Sequence, residues 1–133
     1  MENRLTLLHR ALLWLSVFPT VVFGIGYYFN PVAMSTALDV PTSDPHLLRY
    51  IGGFLIGSVV GSALALRSGN WSEVRVVTIY LATWNILNSL AMLYGMSAEN
   101  VPKGYLPNAI ITGLTGAGLA YVAFQRRQLH ERR

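Results

Sequence analysis

The residues best suited to chemistry in this chain of 133 residues sit together in one apolar stretch: Trp84, Asn85, Asn88 and Ser89. Asn85 and Ser89 are four apart and Asn85 and Asn88 three apart, so a helix puts all three polar groups on one face. A carboxamide taken out of water needs hydrogen-bond partners. Two readings follow. In one, the face lines a cavity and binds a lipophilic ligand: a quinone, a carotenoid or a lipid. In the other, the groups bond across to neighbouring helices, ordinary glue worth about 0.6 kcal/mol a pair. On that second reading the expected partners are Thr112, Thr115, Ser58 or Ser62.

A second cluster is Asp44, His46 and Arg49. It reads either as a contact for a headgroup or quinone ring, or as a helix cap with interfacial anchors. The chain has three histidines, His9, His46 and His130, and all fall outside the longest apolar runs. No two have metal-ligand spacing, so no metal site is expected. There is no cysteine, which excludes disulfides, thiolate ligands and cysteine nucleophiles. No acid or base lies deep in an apolar run, as a proton-coupled transporter or a hydrolase would need. No catalytic residue can be assigned, and a non-catalytic protein is the expectation.

The elements that must position these residues follow from charge. Charged residues make up only 12% of the chain, about half the share of a soluble domain. Uncharged runs occur four times, at 11–29, 50–66, 76–96 and 105–125. A helix crossing the ~30 Å hydrocarbon core needs about 20 such residues, and each mid-span charge costs roughly 2.5–3.5 kcal/mol. The second run lengthens to 45–66 if Asp44 caps it and Pro45 takes the first helical position. The first run reads as a span and not as a signal peptide. It is long, and Tyr27, Tyr28 and Phe29 stand where a small-residue cleavage site would be. The expected fold is all-α, a single transmembrane domain: an antiparallel up-down four-helix bundle in the membrane.

Basic residues set the expected orientation. Eight of them (Arg4, Arg10, Arg67, Arg75, Arg126, Arg127, Arg132 and Arg133) fall on the side of the termini, against Arg49 and Lys103 on the other. Positive residues stay inside, so both termini are expected in the cytoplasm. The same arginines then face anionic headgroups, which accounts for the net charge of +4 without nucleic acid. Tyr27, Tyr28, Tyr50, Tyr94 and Tyr105 fall at the outer boundary and Trp71, Tyr121 and Phe124 at the inner one, the depths amphipathic rings prefer.

Between the first two spans, Asn30 and Pro31 can open a short interfacial helix over 31–38. The tight connections after the second and third spans make helices two and three, and three and four, expected neighbours. Pro19 is expected to bend the first span, because it leaves the Leu15 carbonyl without its helical partner. Gly53, Gly57 and Gly61 repeat every four residues on the second span. Such a stripe admits another backbone closely, either a second copy or a helix of the same bundle. Gly113 and Gly116 on the fourth span, with Gly118, make that span the expected close partner.

The run Tyr28-Phe29-Asn30-Pro31, then Leu38-x-Val40-Pro41, then Leu48-Arg49-x-x-Gly52-Gly53-x-x-x-Gly57 resembles the small bacterial four-helix membrane proteins of the DoxX-like group. The likeness covers roughly the first half of the chain. It implies a bacterial inner-membrane protein, in a group with many members of unknown function and some tied to quinone-linked oxidation. It carries no catalytic residue onto this chain. The expected function is a packing or accessory subunit that associates with another membrane protein, with a second copy of itself, or with membrane lipids. The alternative is a binder of a lipophilic ligand on the Asn85 and Asn88 face. No particular cofactor is implied.

Overall fold

A computed structural model describes residues 4–39, 44–98 and 106–131, the last five by backbone alone. Val40, Pro41, Lys103 and Tyr105, and the side chains of Arg127 and His130, lie outside the described residues. The described chain is helical: α1 (Leu7–Phe29), α2 (Pro31–Ala37), α3 (Pro45–Ser68), α4 (Trp71–Ala98) and α5 (Leu106–Glu131). All but α2 are long and apolar enough to cross a membrane. Their outward faces are apolar too. Phe18, Phe29, Tyr50 and Val76 are each more than 70% exposed. Water would not tolerate so continuous an apolar coat on a monomer.

The helices start and stop where local chemistry dictates. Thr6 caps α1 by accepting a hydrogen bond from the His9 N–H at 3.2 Å. Asn30 does the same for α2 through Ala33, with Pro31 at the first position. Asp44 caps α3, accepting from the His46 N–H at 2.8 Å, and Pro45 follows it. At the other end of α3, Gly69 takes the left-handed conformation (φ 64°) and donates to the Ala65 carbonyl at 3.2 Å. Asn70 then opens α4 by accepting from the Ser72 N–H.

All four long helices overrun the uncharged stretches. α1 begins at Leu7 rather than residue 11, α3 ends at Ser68 rather than 66, and α4 covers 71–98 rather than 76–96. α5 extends to Glu131, past residue 125. Lack of charge marks depth in hydrocarbon, whereas caps mark helix ends, and the two need not coincide. α1 stays a continuous helix through Pro19. The Thr20 hydroxyl there donates to the Ser16 carbonyl at 2.6 Å.

The packing is in pairs. α1 lies chiefly against α3, and α4 against α5; α3 and α4 touch only lightly. The pairs are close because glycines remove the intervening side chains. A β-carbon on Gly52 would stand 2.5 Å from the Tyr28 nitrogen. One on Gly116 would stand 2.9 Å from the Ile86 nitrogen. Between α3 and α4, by contrast, stand rings. Phe54 meets Trp84 at 4.9 Å and Tyr80 at 6.2 Å between centroids. Helices two and three are neighbours across their tight turn, but these rings keep the contact between them light.

Of the two readings of the glycine stripe, packing against a helix of the same bundle is not what the structure has. Gly52, one position before the repeat, makes the close contact with α1, while a β-carbon on Gly57 or Gly61 would meet nothing within 4 Å. Gly53 meets only the edge of the Tyr28 ring, at 3.6 Å. The glycines of α5 face α4 and α1 instead of α3: Gly113 faces Ser89, Gly116 faces Ile86, and Gly118 faces Leu12. The short helix α2 packs across the ends of α1 and α3. Its Met34 fills the space over Gly26.

The apolar core lies toward one end. Leu5, Leu13, Ala65, Trp71, Val74, Leu81 and Leu119 are buried together there. The N-terminal segment closes this end, its Leu5 N–H donating to the Gly69 carbonyl at 3.0 Å.

Candidate functional site

In the other half of the bundle the two helix pairs border a half-open cavity of about 310 Å³. α1 contributes Pro19, Thr20, Phe23 and Tyr27; α3 contributes Leu48, Ile51 and Leu55; α4 contributes Trp84, Asn85, Asn88 and Met92; α5 contributes Asn108 and Thr112. The volume falls within the range of small-molecule sites. Its position has a physical cause. Phe54 and Trp84 hold α3 off α4, and the glycine contacts draw each helix toward its own partner instead.

Asn85 is buried, and its amide nitrogen is fully engaged. It donates to the Leu81 carbonyl at 2.8 Å and to the Ser16 hydroxyl oxygen at 3.3 Å. Its carbonyl oxygen accepts nothing among the described residues. Asn88 and Asn108 go further: among the described residues neither side chain makes any hydrogen bond, and both line the cavity. Both are half-buried, so their amides are open to whatever occupies that space. Three amides therefore turn unused hydrogen-bonding capacity toward a space walled by Phe23, Leu48, Ile51, Leu55 and Met92.

The other expected residues are placed elsewhere. Ser89 turns to α5 and donates to the Ala109 carbonyl at 2.8 Å, away from the cavity. Thr112, Thr115, Ser58 and Ser62 are not the partners of Asn85, Asn88 or Ser89. Thr112 donates to the Asn108 and Ala109 carbonyls on its own helix. Ser62 donates to Ser58, and Ser58 pairs with the Tyr80 hydroxyl. Thr112, Ser58 and Ser62 each donate to a carbonyl one turn back on their own helix, and the buried Thr115 hydroxyl has no partner among the described residues. His46 and Arg49 border a separate open recess with Tyr28, Phe29 and Tyr50, at the end of α3.

Sequence reasoning missed Asn108. It is the third residue of α5, and alone it carried no pattern. It also misplaced His9, which is an internal residue of α1 and fully buried. Its Nε2 lies 2.9 Å from the Thr78 hydroxyl oxygen. That hydroxyl already donates to the Val74 carbonyl, so Nε2 carries the hydrogen and donates. The ring also meets Trp71 edge-on at 5.5 Å. Nδ1 is buried without a partner among the described residues. His9 thus ties α1 to α4 in the dense half, far from the cavity-lining positions.

No potential metal-binding group of His, Cys, Asp or Glu exists among the described residues. Comparison with known proteins finds no matching family model, no similar curated protein and no matching solved structure.

Proposed function

We propose that this chain is a multipass membrane protein that holds an amphipathic lipophile in the cavity between its helix pairs. One observation carries the reading: the unpartnered amides of Asn88 and Asn108, with the Asn85 carbonyl, converge on a space otherwise lined by apolar side chains. The amide groups fit a head bearing carbonyl or hydroxyl oxygens, a quinone or a lipid ester, better than a bare carotenoid hydrocarbon. The hydrocarbon part of such a molecule fits against Phe23, Ile51 and Leu55. The proposed role is binding: among the described residues the lining offers amides and hydroxyls that can hold a ligand by hydrogen bonds.

An antiparallel up-down arrangement with both termini cytoplasmic belongs to the same proposal. Gly52 against Tyr28, Gly24 against Ile56, and Ser89 against Ala109 support opposed running of the paired helices. The Leu5 to Gly69 hydrogen bond and the Arg126 bond to the Arg4 carbonyl support a shared end for these segments. The positive-inside bias supports placing that end in the cytoplasm of a bacterial inner membrane.

The test is purification in a gentle detergent, followed by mass spectrometry of the small molecules retained. Wild type is expected to carry a defined lipophile, and the Asn88→Leu, Asn108→Leu double variant to lose it roughly tenfold or more while folding normally. Equal recovery from both proteins would overturn the reading.

A second reading rests on a different observation. Gly57 and Gly61 have open space above them, flanked by the exposed Val60 and Leu64. That face is shaped for another helix, and an accessory-subunit or self-association role would use it.

A further inference from the structure

At the dense end of the bundle, three arginines from separate parts of the chain border one recess of about 400 Å³. Arg4 comes from the segment before α1, Arg10 from the first turns of α1, and Arg67 from the last turn of α3; Ser68, Gly69 and Asn70 complete the wall. We propose that this recess binds a phosphate group.

The arginines are brought together by the fold. Arg4 is bridged to Asn70 and the neighbouring Leu5 to Gly69, so the N-terminal segment lies along the α3–α4 turn. Arg10 reaches over the same turn: its Nη2 lies 3.3 Å from where a β-carbon on Gly69 would stand. A side chain there would crowd the guanidinium, and the left-handed conformation of Gly69 disfavours one in any case.

Like charges that converge repel one another unless an anion sits among them. Among the described residues, none of the three guanidinium groups has a carboxylate partner. Glu73 stands at the wall of the same recess and forms no ion pair with them. Its two carboxylate oxygens accept from the Ser68 hydroxyl at 2.5 Å and from the Asn70 amide at 3.2 Å. Those bonds hold the turn and leave the arginines to an outside ligand. Guanidinium forks match phosphate oxygens in pairs. The recess also lies at the ends of two candidate spans, the depth of lipid headgroups. A phospholipid headgroup and a soluble phosphate share this chemistry, and experiment separates them.

The full chain is purified in neutral detergent with phosphatidylcholine alone. Melting temperature and native mass spectra are then followed on adding phosphatidylglycerol, or inorganic phosphate against chloride of equal ionic strength. Arg10→Gln and Arg67→Gln alter exposed side chains, so both are expected to melt normally before any anion is added. Arg75→Gln removes an exposed arginine outside the recess and serves as control. Wild type is expected to be stabilised, and each recess variant to bind roughly tenfold more weakly or worse. Arg67→Lys, a charge without the fork, should fall between. Stabilisation by phosphatidylglycerol alone identifies a lipid headgroup; stabilisation by phosphate in phosphatidylcholine micelles identifies a soluble anion. No response of the wild type, or an equal loss in Arg75→Gln, would overturn the proposal.

Discussion

Asn85 and Asn88 stand three residues apart on α4, but only Asn85 is tied to the protein. Its amide joins α4 to α1 through Ser16, whereas Asn88 bonds to nothing among the described residues. Their substitutions should therefore separate structure from binding. Asn88→Leu is expected to leave thermal stability unchanged or raised while retained ligand falls. Asn85→Leu is expected to lower stability by about 1 kcal/mol, read from unfolding in mixed micelles. Equal destabilisation by both would place Asn88 in the framework. His9 gives a second residue-scale prediction. His9→Ala should cost about 2–4 kcal/mol, because a fully buried ring leaves a hole between α1 and α4. The amide face of α4 was legible in the sequence from its three- and four-residue spacing. The division of labour within it was not, since that depends on which helix stands opposite each amide. Asn108 was hidden for the same reason: it completes the cavity only because α5 pairs with α4.

Among the elements, spans and caps were readable and pairings were not. Asp44-Pro45 and Asn30-Pro31 mark the starts of α3 and α2 because capping is local chemistry. Which glycine packs is decided by which face of a helix turns toward its neighbour. Gly52 is pressed against α1, whereas Gly57 and Gly61, on the periodic stripe, face away. Gly52→Val should therefore disrupt the α1–α3 pair, costing about 3 kcal/mol or more through backbone displacement. Gly57→Val should leave the monomer's stability within about 0.5 kcal/mol of wild type. If Gly57→Val instead changes the oligomeric state by size-exclusion with light scattering, the open stripe is a seam between chains. Aromatic spacing also escaped sequence reading. Phe54 and Trp84 are ordinary apolar residues in one dimension, and only their meeting at 4.9 Å explains why α3 stands off α4.

The whole molecule is unequal along its length. One half is filled by Leu13, Val74, Leu81 and Leu119 with the His9–Thr78 link, and the N-terminal segment closes its end. The other half is propped open around the cavity. A rigid end and a receptive end suit a binding protein, since a preformed site needs a framework to hold it. The same polarity bears on topology. The proposed orientation predicts that Ser97→Cys reacts with a membrane-impermeant thiol reagent on intact cells and Ser72→Cys does not; the native chain has no cysteine to interfere. The reverse pattern would invert the protein. The four spans were legible because lipid excludes charge along the entire run of a helix. The inequality between the two halves was not, because it arises from helix pairing.

Whether the amide-lined cavity takes an amphipathic molecule is decided by photolabelling the purified chain with a diazirine-bearing quinone analogue and mapping the modified peptides. An occupied cavity gives saturable labelling at Asn88, Met92 and Asn108, competed by the unlabelled analogue and lost in the Asn88→Leu, Asn108→Leu variant. Unsaturable labelling spread over outward residues such as Trp14, Phe18 and Leu114, unchanged in that variant, would contradict that occupancy.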